Sequence, residues 1–279
     1  MSGTLYVVAT PIGNLEDLTP RARQTLAEVS LIAAEDTRHT GRLLFSIGCK
    51  SRLMALHDHN EEKVVGSIIK ILLGGESVAL VSDAGTPLLS DPGFRLVREA
   101  HSNNIVVSPI PGASAVTAAL STAGIATDRF CFEGFLPAKQ SARKAVLSDL
   151  ASERRTLVFY ESVHRIAECI DDMVAVFGAE RQAFIGRELT KLHEQCVQET
   201  LANLKQLIAS GGIVGKGEFV VVISGSSAAR ESDIDVDRVL LELADYLPAR
   251  DVAKITARLL GKKKNALYDR LLHLKRSHS

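Results

Sequence analysis

The residues able to do chemistry in this chain sit in short polar stretches that each follow an apolar run. The fullest example is Val78 to Gly93. Val78-Ala79-Leu80-Val81 reads as a buried strand, and Ser82-Asp83-Ala84-Gly85-Thr86-Pro87 follows it at once. Small residues let a ligand approach the main chain, and Gly85 can adopt φ > 0. Asp91-Pro92 then has the form of an N-cap with proline at the first helical position, predicting a helix over 92–102. A strand, a small-residue loop with one carboxylate and a helix start make a binding loop at the carboxyl end of a parallel strand. Comparable loops are Thr10–Asn14, Glu35–Arg38, His57–Asn60 and Pro109–Ser114.

Several chemistries are poorly matched. No G-x-G-x-x-G follows the first strand and no G-x-x-x-x-G-K-[ST] occurs, so a standard dinucleotide or ATP site is not expected. Asp36 could grip a ribose, but one acid is a weak pointer. His57 and His59 lack the partner spacing of a metal site, and no metal is expected. Cys49, Cys131, Cys169 and Cys196 are scattered and read as reduced small hydrophobes of a cytoplasmic protein. In the second half, Glu161 and His164 lie at a strand-to-helix junction, where a helix-cap role competes with catalysis. Arg187 to Lys191 clusters charge after another strand.

The elements that must position these loops alternate. Apolar runs at 5–9, 31–34, 52–56, 78–81 and 105–107 are separated by helical patterns, one opening at Thr19-Pro20, one ending at Gly48 and one spanning Glu61 to Gly74. The βαβ alternation predicts a parallel sheet with both faces covered. Its strand ends of one polarity share an edge, so the loops should surround one crevice. After the small-residue helix 114–122, suited to close packing, the texture changes to strands at 130–135, 156–160, 182–185, 196–199 and 218–224. The reading is two α/β domains, 1–124 and 125–225, a linker 226–235 and a helical tail 236–279 resembling a helix-turn-helix unit.

The chain of 279 residues is 46% apolar with formal net charge +0. The charge is uneven: residues 249–279 hold nine Lys/Arg against two Asp, +7, leaving −7 on the remainder. A basic appendage of this kind suits an anionic partner, and a solvated helical surface is the alternative. The N-terminus lacks the basic and long apolar regions of a signal peptide, and no run approaches a membrane span.

Together, TPIGN, AEDTR, SDAGTPLLSDPG, PIPGASA, FYESVHR, RELTK and GEFVVVISG resemble the loops of tetrapyrrole-methylase-type methyltransferases, which use S-adenosylmethionine. Within that family they are most similar to the subgroup that methylates a cytidine 2′-OH in the decoding region of 16S rRNA of the small ribosomal subunit. The resemblance covers about Gly3 to Gly225, and the tail also resembles that subgroup. It implies a homodimer of two-domain chains, with the cofactor between the domains near Pro11, Ser82, Asp83, Gly85, Thr86, Ser114, Ala115, Tyr160 and Glu218. A base must take or share the proton of a ribose hydroxyl; Glu133, Glu161, His164, Arg187, Glu188 and Lys191 are the polar choices, with Arg and Lys also able to hold phosphates. The porphyrinoid enzymes have a Gly-Pro-Gly type first loop and a Gly-Asp-Pro motif, absent here, which weakens a tetrapyrrole substrate. A small-molecule methylase and a nonenzymatic RNA-binding protein are the alternatives; the basic tail argues against the first, and Asp83, Pro111 and Gly112 against the second.

Overall fold

The computed structural model describes residues 2–226 and 236–277, which divide into two compact units within 1–226 and 227–279. In the larger unit, β1 (Thr4–Val8), β2 (Leu31–Ala34), β3 (Leu53–Ala55), β4 (Val78–Val81) and β5 (Val106–Ile110) form a parallel sheet of order β3-β2-β4-β1-β5. The expected parallel sheet is present. Its strands are short, and alternate residues feed opposite faces, as the two-residue period dictates. Val78 and Leu80 pack with Ile68 and Leu72 of α3 (Glu61–Leu73) and Leu96 of α4 (Phe94–Ser102). Ala79 and Val81 pack with Leu26 of α1 (Pro20–Glu28) and Leu44 of α2 (Thr37–Ser46). Thr19 caps α1 ahead of Pro20, its side chain accepting from Ala22 N, and Gly48 at φ 72° follows α2, as their types predict.

The helix expected from Pro92 starts later, at Phe94. Gly93 sits at φ 121°, outside the helical region, and an added Cβ there would come within 2.7 Å of Leu80. Asp91 is therefore not the cap. The carboxylate of Glu61 accepts instead from Arg95 N at 2.9 Å and Leu96 N at 3.3 Å, satisfying first-turn donors of α4 from the start of α3.

The second sheet is mixed. It orders β6 (Phe130–Phe135), β7 (Thr156–Ser162), β10 (Glu218–Ile223), β8 (Gln182–Arg187) and β9 (Gln195–Thr200), with only β6 and β7 parallel. Cores from α6 (Gln140–Asp149), α7 (Ile166–Phe177) and α8 (Leu201–Ala209) cover one face. The other face is covered by α5 (Ala115–Thr122), whose Val116, Ala119 and Leu120 meet Val158, Phe184 and Val222. The small residues of this helix thus serve close packing within the chain. Ser114 begins α5 without a side-chain cap bond.

The smaller unit is helical: α9 (Val236–Ala244), α10 (Ala249–Leu260) and α11 (Lys264–Ser277) enclose Leu240, Val252, Ala253, Leu267 and Leu271. The three expected tail helices are all present. Gly261 turns the chain between the last two in the left-handed region, φ 63°, and Arg270 pairs with Asp237. Arg250, Lys254, Arg258 and Lys262 to Lys264 are exposed. Of the expected linker 226–235, all but Ser226 lies outside the described residues. No helix of the described residues is long and apolar enough to cross a membrane.

A buried ion pair joins two helices behind the second sheet. Arg143 Nε of α6 donates to Asp172 of α7 at 2.7 Å, with both side chains essentially inaccessible, and Gln140 donates to the same carboxylate. Removing Asp172 leaves the buried guanidinium only the longer Glu168 contact at 3.5 Å and the Ala138 carbonyl, so Asp172→Ala is expected to cost about 3–5 kcal/mol in denaturant unfolding. The double variant Arg143→Met/Asp172→Leu should lose clearly less. An equal loss would show that the charges do not dominate this contact.

Candidate active site

Loops from four parallel strands are tied to one another at the carboxyl edge of the first sheet. Thr10 and Gly85 exchange two main-chain bonds, Thr10 N to Gly85 O at 2.9 Å and Gly85 N to Thr10 O at 3.0 Å. Gly85 holds φ 80° to make this contact, and an added Cβ would press on Ile12 at 3.2 Å. Asp83 reaches the neighbouring loop: its Oδ1 accepts from Asp36 N at 3.0 Å, while its own N–H faces Glu35 Oε2 at 3.4 Å. Thr86 Oγ1 donates to Ala113 O at 3.1 Å, adding the loop after β5. Ser82 lies buried beneath, its carbonyl accepting from Thr10 Oγ1 and its own Oγ donating to Ala84 O. Asp36, weighed above as a ribose grip, caps α2 instead and is paired with Arg38 at 2.7 Å; the Arg38 hydrogen bonds hold its carboxyl well below the ordinary range.

A cleft of about 410 Å³ opens between this edge and the second sheet. Asp83, Gly85, Thr86, Ala115, Tyr160, Glu161 and Glu218, all singled out by the sequence, line it together. Tyr160 is held edge-on by Phe132 and tilted against Phe135, and burial pushes its hydroxyl up to about 12. The backbone is strained on the cleft side of the β4 loop, with Leu88 at φ 71° and Ser90 at φ 72°. Ser90 in turn touches the second sheet, where a Cβ at Gly134 would approach its Oγ to 2.8 Å.

The other predicted positions divide. Pro11 and Lys191 line a second, adjoining cavity of about 340 Å³. Lys191 Nζ bridges Glu188 and Glu218, each at 2.8 Å. Burial pulls its ammonium down, and those two hydrogen bonds outweigh it and leave the pKa raised. Glu188 also accepts from Glu218 N at 3.0 Å, so it ties the β8 and β10 ends together. Glu161 is buried, with Oε1 accepting from Arg165 at 2.8 Å and from Ser162 N at 2.7 Å. Arg187, also buried, donates to Lys216 O, His193 O and Gln195 Oε1 and lines neither cavity. Glu133 and His164 are exposed and line neither. Ser114 is set back beside Ala115, with its Oγ buried and unpartnered.

Two acids facing the cleft were not among the predicted site residues, Glu35 and Asp91. Both are raised. Burial is the chief cause for each, and neighbouring acids add to it: Asp83 for Glu35, and Glu35 with Asp83 for Asp91, which reaches about 6 against an ordinary 3.8. The Asp91-Pro92 pair looks like a helix start in sequence, which hid the role of its carboxyl group. No group of three His, Cys, Asp or Glu side chains among the described residues is placed to hold a metal.

The raised Asp91 carboxyl fixes the sign of a pH effect. The folded chain keeps this proton up to about pH 6 and the unfolded chain only to 3.8, so stability falls as pH rises through that window. Asp91→Asn should therefore melt higher than the parent above about pH 7 and coincide with it below about pH 4. Thermal melts across this range check it; a variant that melts lower at high pH would show that the charged carboxylate is favourably held.

The cleft, its laced loops and the following mixed sheet can be compared with known proteins. Residues 4–205 match the family model described as Tetrapyrrole (Corrin/Porphyrin) Methylases, and residues 230–275 match one described as RsmI C-terminal HTH domain. A Ribosomal RNA small subunit methyltransferase I of Xylella fastidiosa (strain Temecula1) is 51% identical over 95% of this chain and 98% of its own. That of Haemophilus influenzae is 49% identical over 99% of both chains. A crystal structure of uroporphyrin-III C-methyl transferase from Thermus thermophilus, complexed with S-adenosyl homocysteine, superposes with TM-score 0.54 at 16% identity over 80% of this chain and 97% of that one. The fold is thus shared with distant methylases, and the sequence match to close relatives runs nearly the length of the chain: the chain belongs to the tetrapyrrole methylase family.

Proposed function

We propose that this chain is an S-adenosylmethionine-dependent methyltransferase of small-subunit ribosomal RNA, acting on a cytidine 2′-hydroxyl of the decoding region of 16S rRNA, as its loop motifs imply. One observation carries this reading: the laced loops enclose a small-molecule cleft in a chain matched nearly end to end by ribosomal RNA methyltransferases. The RNA substrate points to action in the cytoplasm, and the family resemblance to a homodimer.

The residues fit the cofactor. The cleft lies within the roughly 300–1,000 Å³ typical of small-molecule sites. It offers a planar ring at Tyr160, small residues at Gly85 and Ala115, and carboxylates at Glu35, Asp83 and Asp91 suited to cationic groups. The Ser114 Oγ, buried without a partner, is a further donor beside Ala115. Asp83, Gly85 and Thr86 would hold the methionine end and Tyr160 the adenine, with Ser82 supporting the loop from beneath and Pro11 and Glu218 at the neighbouring wall. When bound, S-adenosylmethionine supplies a methyl carbon made electrophilic by its sulfonium. The chain supplies orientation: loops tied by main-chain bonds hold the two reactants at a fixed approach, which is the larger part of what such a transfer requires. Of the six polar residues considered as proton acceptors, Glu161 and Lys191 line the cavities. Lys191, kept protonated by two acids, is suited to hold charge rather than to accept a proton.

The direct test incubates the protein with radiolabelled S-adenosylmethionine and unmodified small ribosomal subunits, then maps the label. Label on one ribose of the RNA is expected; labelled tetrapyrrole with unlabelled RNA would overturn the reading. Asp83→Ala should weaken cofactor binding by about 10–100-fold in calorimetry, the scale of a lost hydrogen bond to a charged group, while Asp83→Asn, which keeps an acceptor for Asp36 N, loses less. A folded Asp83→Ala protein with parental affinity would remove Asp83 from the cofactor site.

The helical unit is proposed to dock RNA through Arg250, Lys254, Arg258 and Lys262 to Lys264. Its phosphate contacts should be salt-dependent through counterion release. A chain ending at Ser226 is expected to keep its cofactor affinity and its dimeric mass in light scattering while losing most methyl transfer to the subunit. Full methylation by the truncated dimer would exclude the tail as the docking element.

A further inference from the structure

The second cavity extends beyond the residues proposed to hold the cofactor, onto one face of α2. It shares a wall with the first, formed by Ile12, Asp83, Ala84 and Glu218. Its opposite wall is one face of α2, where His39, Arg42, Leu43 and Ser46 fall at helical spacing. Asp83 and Glu218 stand on the shared wall, Glu218 paired with Lys191, which also lines this cavity, and the guanidinium of Arg42 and the imidazole of His39 stand on the far one.

Those two side chains are uncommitted. Most other cations near the cleft have partners: Arg38 with Asp36, Arg165 with Glu161, Lys191 with Glu188 and Glu218, and Arg187 with two carbonyls and a side-chain amide. The His39 and Arg42 side chains take part in no ion pair or side-chain hydrogen bond among the described residues. The lining also carries the apolar side chains of Pro11, Ile12, Leu43 and Leu15, the last 55% exposed. A guanidinium and an imidazole at one end, apolar side chains along the lining and carboxylates able to accept from hydroxyls at the other end match the parts of one nucleotide in a single strand: phosphate, base and ribose. Single-stranded RNA is read in this manner, by splayed bases and backbone contacts.

We propose that the second cavity seats the target nucleotide, its phosphate on Arg42 and His39 of α2 and its ribose toward the shared wall with Asp83 and Glu218. This rests on the reading of the chain as an RNA methyltransferase. The arrangement directs the sugar, rather than the base, toward the cofactor cleft. It uses an arginine because a planar guanidinium presents paired donors to phosphate oxygens.

The test measures kcat and KM for unmodified small subunits, the salt dependence of subunit binding, and the calorimetric affinity for S-adenosylmethionine. It compares full-length parent, Arg42→Ala, Arg42→Lys, His39→Ala and a control, Lys70→Ala, whose exposed lysine on α3 lines neither cavity. Arg42 is exposed on a helix, so its replacement by alanine is compatible with folding. Arg42→Ala should lower kcat/KM by about tenfold or more, mainly through KM. It should also reduce the salt slope of binding by about one, leave cofactor affinity unchanged and be partly rescued by Arg42→Lys. His39→Ala should fall between. Parental KM and slope in Arg42→Ala overturns the assignment, as does an equal loss in Lys70→Ala or a proportional loss of cofactor affinity. A parent protein that binds S-adenosylmethionine but labels no RNA removes the functional reading itself, and the nucleotide site with it.

Discussion

A parallel sheet brings the carboxyl ends of all its strands to one edge, and that edge ends in main-chain groups no further strand will satisfy. The first half of this chain is arranged around that constraint. The loops after β1 and β4 satisfy one another directly, through Thr10 and Gly85. The loop after β2 is satisfied by a side chain, the carboxylate of Asp83 accepting from Asp36 N. The loop after β5 is held by the Thr86 hydroxyl. One wall of the cleft is what remains once these bonds are made, so on that side it is lined by the loops that complete the sheet edge.

The second half supplies a lid of different construction. Its mixed sheet receives α5 from the first half as the cover of one face, which locks the two halves into one compact unit. The loops it turns toward the cleft are stiffened by charge: Glu188 binds Glu218 N and Lys191 together, in a segment where Glu188 and Thr190 take positive φ. Gly217 is required beneath them, since a Cβ there would come within 2.4 Å of the Glu188 carboxyl. The acids of the cleft are tolerated by a different means. Glu35 and Asp91 raise their pKa, which lowers the charge that burial and mutual repulsion would otherwise make unfavourable.

Much of this was legible in the sequence because period and punctuation agreed. Short apolar runs fixed the strands, and Thr19-Pro20 and Gly48 marked helix ends where the structure has them. The loops carried their small residues and Asp83 in plain view. Asp91-Pro92 misled because local capping chemistry was read without the glycine after it. Gly93 breaks the helix, and a distant carboxylate, Glu61, takes over the capping. Arg187 and Glu161 advertised charge at strand ends, and only three-dimensional neighbours reveal that both are already engaged. Arg42 and His39 were invisible because nothing in a helix sequence says which exposed face borders a cavity.

The two bonds between Thr10 and Gly85 involve no side-chain atom. A frame fastened in this way is indifferent to most substitutions around it, provided a residue at the second position tolerates φ > 0. Side chains on the loops can therefore drift while the spacing of the strand ends stays put. Descent with change of substrate becomes easy to picture: the backbone is inherited, and the lining is rewritten. A neighbour only 16% identical that retains the same fold is what such latitude leaves behind.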